Sequence, residues 1–558
     1  MVDTVDHATV IEPDETPQTA RDSDRRTTGR IAGAAVIVML GTIFSRVIAI
    51  PRESLIAGMF GDGVVTGSYT IAENVLTIFL DLLLSGIASA VLVPVLSEFV
   101  GEDQRAELGA VVGKLLTLVV VGGGAMLVLL ELGARGVAWA MTGVGGNTTS
   151  YDSDLVVSLI RWILPALLLL GVASVLQSTL YAMQRFTMPA LSLAARNAAV
   201  VLSIIVLGPA LGIHSLVVGI LVGALLLIAL QVPGFWGTGL RIVPSLAWRD
   251  PVLRRIGALY LPVFLGLLFN SWALIVDRNL ATRTGEHGIP AMRFATQIQQ
   301  LTVGLVVTAI SIATLPRLSR AAAEEDEAGF GRTLALGMRL VTTLVLPATF
   351  GLIAISGPLV NLLFNYGKAT PEGVHQIRIA LIGYAVGLPF LAWDQLLLFA
   401  FYARKNTRTP VIVGVASVVV LLAVSFALIV PLGVLGLVLA NSAQFAFHAI
   451  VMLVLARRFI PTFSVTALRG TVARAGIAAV AMALAVVATD RAVHTIIGIG
   501  IGIGDATFVT QGIAVVAGLG VGAVVYLIGV WLLKVDEIRY FGDVIRGRLR
   551  RRDVQSDA

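Results

Sequence analysis

The chain has 558 residues, 57% hydrophobic and only 13% charged, with a formal net charge of +6. Soluble domains carry about a quarter of their residues as charge. A mean hydropathy of +0.91 therefore excludes a soluble enzyme, a disordered chain and a nucleic-acid-binding domain. The absence of cysteine removes disulfides, thiolate metal sites and cysteine nucleophiles, and the 6 scattered histidines lack any metal-ligand spacing.

A membrane-spanning helix takes about 20 apolar residues. Residues 1–30 are polar, without a signal-peptide core, and read as a disordered tail. Fourteen apolar segments follow: 31–60, 66–97, 108–131, 154–182, 189–210, 213–236, 255–281, 291–316, 333–355, 374–403, 410–430, 433–456, 471–489 and 511–533. Segment 132–147 is too short to span and suits an interfacial helix. The fold class expected is an all-α polytopic membrane protein of about fourteen transmembrane helices. The long glycine run Gly498–Gly504 lacks the spacing of a phosphate loop and falls between the last two helices.

Basic residues alternate with the loops. The stretches Arg241–Arg255, Arg317–Arg332, Arg404–Arg408 and Arg457–Arg469 and the C-terminal RGRLRRR carry most of them. By the positive-inside rule these stretches, and both termini, are cytoplasmic, and the multi-pass chain belongs in the cytoplasmic membrane of a bacterium. The basic tail suits anionic headgroups and needs no nucleic-acid partner.

An internal repeat appears at an offset of about 221 residues. Leu180-Tyr-Ala-Met-Gln-Arg-Phe-Thr-Met-Pro189 matches Phe401-Tyr-Ala-Arg-Lys-Asn-Thr-Arg-Thr-Pro410. Leu92–Ser97 resembles Leu315–Ser319, and Gly113–Leu118 resembles Gly337–Thr342. The offset covers six helices, an even number, so the halves share one topology. Two six-helix lobes are expected, related by a pseudo-two-fold along the membrane normal with a transport site between them. The organisation is then 1–30 tail, 31–240 N-lobe, 241–458 C-lobe, 459–534 two extra helices, and 535–558 basic tail.

Charges inside these helices cost about 2.5–3.5 kcal/mol each at the centre on insertion scales, so each needs a function or a partner. Arg46, Arg52, Glu53, Glu73 and Asp81 lie on the first two helices, and Asp277, Arg278, Arg293 and Gln297 on the seventh and eighth. As equivalent helices of the two lobes, these should meet in one central water-filled cavity. The arginines suit a phosphate, which a planar guanidinium grips with two charge-assisted hydrogen bonds. Asp394 on the tenth helix is a candidate for ion coupling. Structural ion pairing among the same residues is the competing reading. Lys114 and Arg339, one turn inside their helices, read as snorkelling side chains.

At these residues the chain resembles the MurJ/MviN family of the multidrug/oligosaccharidyl-lipid/polysaccharide exporter superfamily. The stretches are FSRVIAIPRESLIAGMFGDG (Phe44–Gly63), LVPVLSE (Leu92–Glu98), VDRNLA (Val276–Ala281), TLPRLS (Thr314–Ser319), SGPLVNLLFNYGKAT (Ser356–Thr370) and FYARKNTRTP (Phe401–Pro410). The resemblance implies a lipid II flippase rather than an enzyme. Such a protein moves an undecaprenyl-diphosphate-linked peptidoglycan precursor across the membrane by alternating access, for cell-wall synthesis. It further implies substrate contacts at Arg46, Arg52 and Arg278, a groove for the lipid tail at the last two helices, and resetting by membrane potential or a coupling cation such as Na+ or H+. No bound cofactor is implied. The cell-wall synthesis machinery is a candidate partner, and a monomer suffices.

The family's helix-two arginine pair falls here on Leu80 and Asp81. Its helix-eight arginine falls on Gln297, with Arg293 one turn earlier as a substitute. Four arginines against Glu53, Glu73, Asp81 and Asp277 give a cavity of net charge near zero. Export of another polyprenyl-linked glycan, cation-coupled drug export and a non-transporting cell-wall scaffold stay open at this point.

Overall fold

The computed structural model describes residues 45, 47–82, 91–143, 151–247, 249–460, 462–463, 465–500 and 508–535. The expected terminal tails, Arg46 and part of the glycine run 498–504 lie outside the described residues. Throughout the described residues the regular structure is helical, as lipid requires: without water, backbone groups must bond within the segment.

Helix α1 spans residues 47–60 and is followed by α2 (Val64–Leu80), α3 (Val93–Ser97), α4 (Arg105–Leu132), α5 (Ala134–Thr142), α6 (Ser153–Ile163) and α7 (Pro165–Ala182). Then come α8 (Thr187–Leu211), α9 (His214–Gln231), α10 (Pro251–Ala281), α11 (Gly288–Ala323) and α12 (Glu327–Phe364). The series closes with α13 (Pro371–Ala403), α14 (Arg408–Leu432), α15 (Val434–Phe459), α16 (Val465–Gly500) and α17 (Phe508–Leu532). Every expected segment contains helix, and α5 occupies the place of the interfacial helix. Ten spans among the described residues are long and apolar enough to cross a membrane. α10 and α11 carry the charges of the seventh and eighth expected segments, Asp277 and Arg278 on the first and Arg293 on the second.

Contacts among the described connections sort them to two ends. One, called here the basic end, holds residues 98–104, 183–186, 232–247, 249–250, 324–326, 404–407 and 460. The other, the sparse end, holds residues 61–63, 143, 151–152, 212–213, 282–287, 365–370 and 433. Side-chain caps start several helices. Asp152 accepts from the Asp154 amide at 2.9 Å, Asp250 from Val252 at 2.8 Å and Asp326 from Gly329 at 2.7 Å.

The repeat is repeated in the backbone. Gln184 and Lys405 both adopt the left-handed region, at φ 57° and 58°. At each, the next amide reaches back to the fifth preceding carbonyl: Arg185 to Leu180 at 2.8 Å and Asn406 to Phe401 at 3.0 Å. That is the Schellman end, used twice without glycine. Gly212 and Gly433 likewise share φ 55° where α8 and α14 stop.

Packing divides into three apolar clusters. The largest runs through both halves. A second, at the basic end, joins Leu96, Leu108, Val112 and Val175 to Leu253 and Ile256 of α10. The third fastens the α16–α17 hairpin to α12 through Ile355, Met482, Val486, Tyr526 and Val530, and the Tyr526 hydroxyl donates to the Thr343 carbonyl at 2.5 Å.

Candidate functional site

Three features converge where the two halves meet. The first is a buried ion network on α1, α2, α8 and α11. Glu53 is fully buried and accepts from both sides. Arg52 donates Nε at 3.1 Å and Nη2 at 2.6 Å to Glu53 Oε1, while Arg293 donates Nε to Oε2 at 2.7 Å and Nη2 to Oε1 at 3.0 Å. The third donor of Arg293, Nη1, goes to Glu73, and its guanidinium lies 5.1 Å from the Tyr69 ring centroid. Arg52 Nη1 also reaches Asn197 Oδ1 at 3.3 Å, and Asn197 in turn donates to Ser45 Oγ at 2.6 Å.

The network has two arginines and two carboxylates, so it is neutral within itself. Breaking a buried pair by removing one partner is destabilising by about 3–5 kcal/mol. These contacts therefore brace α1 against α8 and α11. Tyr69 on α2 and Arg293 on α11 come together because α2 and α11 pack directly against one another.

The second feature is a cavity of about 320 Å³ bounded by α2, α10, α11, α13, α14 and α15. Asp81, Asp277, Arg278, Gln299, Asn441 and Gln444 supply its polar lining. The Nε and Nη1 atoms of Arg278 are buried and have no hydrogen-bond partner among the described residues. A guanidinium so held is a donor set waiting for an acceptor, since an unmade bond to a charged group is costly. The carboxylates and amides around it can both donate to and accept from sugar hydroxyls.

The third feature is the seam at the sparse end. Asp62, 1% exposed, accepts from the Thr370 amide and hydroxyl, each at 3.0 Å, and its backbone carbonyl faces His287 Nδ1 at 2.9 Å. The Lys368 amide donates to the Gly58 carbonyl at 2.8 Å. Gly367 has φ +65°, and a Cβ there would overlap the Gly58 carbonyl; one on Gly58 would overlap the Tyr366 ring. Ser54 donates to the Leu363 carbonyl. Thus the stretch Phe44–Gly63 and the stretch Ser356–Thr370 interlock, main chain on main chain.

At the basic end, α10 ties itself to the first half. Lys114 donates to Asp250 Oδ2 at 2.5 Å, and Arg255 makes a two-pronged contact with Glu98, both bonds 2.8 Å. The Lys114 hydrogen bond holds the Asp250 carboxyl below its ordinary value, and the Arg255 bonds do the same for Glu98.

Several expectations are corrected by this geometry. The charges of the first two and the seventh and eighth helices do not share one cavity. Arg52, Glu53, Glu73 and Arg293 form the ion network, whereas Asp81, Asp277 and Arg278 line the neighbouring cavity. Met292 lines that cavity, so consecutive residues of α11 face the two groups. Gln297 takes no part in the network among the described residues, whereas Arg293, one turn earlier on α11, does. Asp394 lies in neither group: it pairs with His448 Nδ1, whose Nε2 faces the Pro410 carbonyl at 3.3 Å. Lys114 does not merely snorkel, because it caps the start of α10 through Asp250.

Sequence reasoning does not single out Arg196, which stands on α8 beside Asn197 with Arg52, Glu73 and Tyr69 as its electrostatic neighbours. An arginine next to an asparagine inside an apolar helix is the signal that marks it. Among the described residues no group of three or more His, Asp or Glu could hold a metal ion.

The sequence profile described as "Lipid II flippase MurJ" matches residues 56–501. A lipid II flippase MurJ of Burkholderia cenocepacia is 26% identical over 407 residues, 72% of this chain and 78% of that protein. A probable lipid II flippase MurJ of Vibrio cholerae is 26% identical over 403 residues, 70% of this chain and 76% of that one. Among solved structures, a lipid II flippase MurJ in an inward closed conformation superposes with a TM-score of 0.71 at 20% identity, covering 90% of this chain and 100% of that one. An inward-facing multidrug resistance MATE family transporter of the MOP superfamily gives 0.63 at 15% identity, over 76% of this chain and 98% of the other. These two structural likenesses carry the fold.

Proposed function

The chain belongs to the lipid II flippase MurJ family, and from that premise we propose that it carries lipid II across a bacterial membrane by alternating access at the cavity around Arg278. It is a multi-pass transporter, not an enzyme. Arg278 carries the reading: its guanidinium is buried between the two halves with Nε and Nη1 unbonded, in a cavity otherwise lined by carboxylates and amides. A diphosphate supplies the acceptors that guanidinium lacks, and the amides suit the attached sugars.

In this reading Arg52 and Arg293 act by exchange. Their donors are held by Glu53 and Glu73 until a diphosphate arrives, and competing anions then redistribute the charge-assisted bonds. Such an exchange suits alternating access, because the network that releases its carboxylates also loosens α1 from α11. Arg196, adjacent to Arg52 in the electrostatic field, adds positive charge on the side of α8. Arg46, six residues before Arg52 in the same apolar segment, and Gln297 on α11 complete the candidate set. The near-neutral balance then tunes affinity: a site must release its cargo on the far side.

The organisation proposed is an N-lobe over 31–240, a C-lobe over 241–458 and an accessory lipid-tail groove over 459–534, with fourteen crossings. The basic end faces the cytoplasm by the positive-inside rule, which places both termini there and the Asp62–Thr370 seam at the outer face. Reset by membrane potential or by a coupling cation, Na+ or H+, is assigned to the acidic residues Asp81 and Asp277, with Asp394–His448 as a proton-exchanging alternative. A single copy contains all of these parts, and cell-wall synthesis enzymes are its expected neighbours.

The test is Arg278→Gln in a reconstituted flipping assay with fluorescent lipid II, alongside a melting curve. Because the native guanidinium is incompletely bonded, the variant is expected to stop flipping while melting no lower than wild type. Normal flipping by Arg278→Gln removes the diphosphate-binding role.

A further inference from the structure

A second cationic pocket lies away from the central site, between the α16–α17 hairpin and the helices α12 and α13. It is an open cleft of about 300 Å³, and both of its arginines, Arg378 and Arg491, are exposed at its mouth. Its polar lining is Arg378, Arg491, His494, Asp490, Asn361 and Gln511. Among the described residues neither the Arg378 nor the Arg491 side chain has a hydrogen-bond or ion-pair partner, and Gly357 leaves open the space beside the Arg378 guanidinium, 3.6 Å from where a Cβ would stand.

His494 Nδ1 lies 2.8 Å from the Asp490 backbone carbonyl and 3.2 Å from its carboxylate, and its Nε2 lies 3.3 Å from the Gln511 side-chain amide. The two arginines outnumber the one carboxylate, Asp490, so the permanently charged groups of the pocket are cationic on balance.

Its depth is that of a headgroup. Arg378 sits about 10 Å along α13 from Pro371, at about 1.5 Å per residue, and Arg491 lies in the last turns of the apolar span Leu468–Ile496. Toward the membrane interior the lining turns apolar, at Ala354, Pro358 and Val487. Cations at the polar–apolar boundary above an apolar floor match the phosphate and the first acyl carbons of a lipid.

We propose that this pocket binds the phosphodiester of a membrane lipid in the leaflet at the sparse end, with Arg378 and Arg491 as its two phosphate ligands. The apolar floor beneath the two cations suits a phosphodiester that carries acyl chains rather than a free anion. A lipid seated there would couple the α16–α17 hairpin to α12 and α13 without entering the transport cavity. The assignment stands independently of the flippase reading, since it concerns a different pocket.

The experiment is native mass spectrometry of the full-length protein in detergent, titrated separately with short-chain phosphatidylglycerol, the matching diacylglycerol, farnesyl diphosphate and inorganic phosphate. Wild type should retain phosphatidylglycerol at least tenfold better than the diacylglycerol that lacks phosphate. Arg378→Gln/Arg491→Gln should lose that preference, while Arg135→Gln/Arg161→Gln, which removes equal charge elsewhere at the same end, should keep it. Unchanged mass-to-charge distribution and melting point establish that each variant is folded. Equal loss in both double variants, or no preference over diacylglycerol in wild type, overturns the site. Retention of farnesyl diphosphate or inorganic phosphate in place of phosphatidylglycerol overturns the phosphodiester assignment.

Discussion

Replacing Asp62 with alanine tests whether the sparse-end seam is a gate. The carboxylate accepts two bonds from Thr370, each 3.0 Å, and is buried to 1% exposure. Hydrogen bonds to a charged group contribute about 1.5–3 kcal/mol each over their hydrated counterparts. In an opened seam Asp62 would be hydrated, so only the closed arrangement loses these bonds in Asp62→Ala. Sharing of one carboxylate makes the two bonds non-additive, and a shift of about 3 kcal/mol toward the open arrangement is a fair working figure. At about 1.4 kcal/mol per tenfold, that is roughly a hundredfold in the open-to-closed ratio. The chain has no cysteine, so a single cysteine at Thr296, which lines the central cavity, is a unique reporter. Its reaction with a membrane-impermeant maleimide, applied to intact cells, should accelerate by one to two orders of magnitude in Asp62→Ala. If the rate stays within about twofold of the parent while the protein remains folded, the seam is a static joint and the gating argument fails.

Two further predictions address the ion network and the basic end. Glu53→Gln leaves Arg52 and Arg293 facing each other without their shared carboxylate and should destabilise the protein by about 3–5 kcal/mol, read by denaturant midpoint in detergent; a change below about 1 kcal/mol would show that the network is not a brace. The Asp250 and Glu98 carboxyls, held low by Lys114 and Arg255, give stability that is present above the ordinary carboxylate pKa and lost as pH falls through their lower folded values. Thermal melts from pH 7 down to 3 should therefore lose stability at the acid end, and Asp250→Asn should flatten part of that loss; an identical acid profile in the variant would count against the Lys114 contact.

Much of the architecture was legible in the sequence because lipid permits few backbone solutions. Apolar runs of spanning length had to become helices. The motif around Tyr181 and Tyr402 announced a duplication that the backbone repeats even to the left-handed Gln184 and Lys405. The candidate site was only half legible. That Arg52, Glu53, Glu73 and Arg293 would be drawn together followed from the penalty for isolated charge in lipid. Which carboxylate each arginine would meet did not follow, because pairing depends on rotation and kinking of helices far apart in sequence. Asp394 illustrates the limit: nothing in its local sequence points to His448 on α15. Lys114 is the same case, since its partner is a capping residue over a hundred positions away.

The seam between Gly58 and Gly367 has a consequence for how such a chain tolerates change. Because one contact there runs from the Lys368 amide to the Gly58 carbonyl, closure depends on the absence of a Cβ at two positions as well as on the Asp62 side chain. Side chains facing away from the seam can drift without altering how closely the halves approach. A methyl group added at Gly367 would meet the Gly58 backbone and hold the two stretches apart, whereas one at Gly58 would first displace the Tyr366 ring. Part of the mutational sensitivity of the outer closure thus falls on a position that carries no functional group at all.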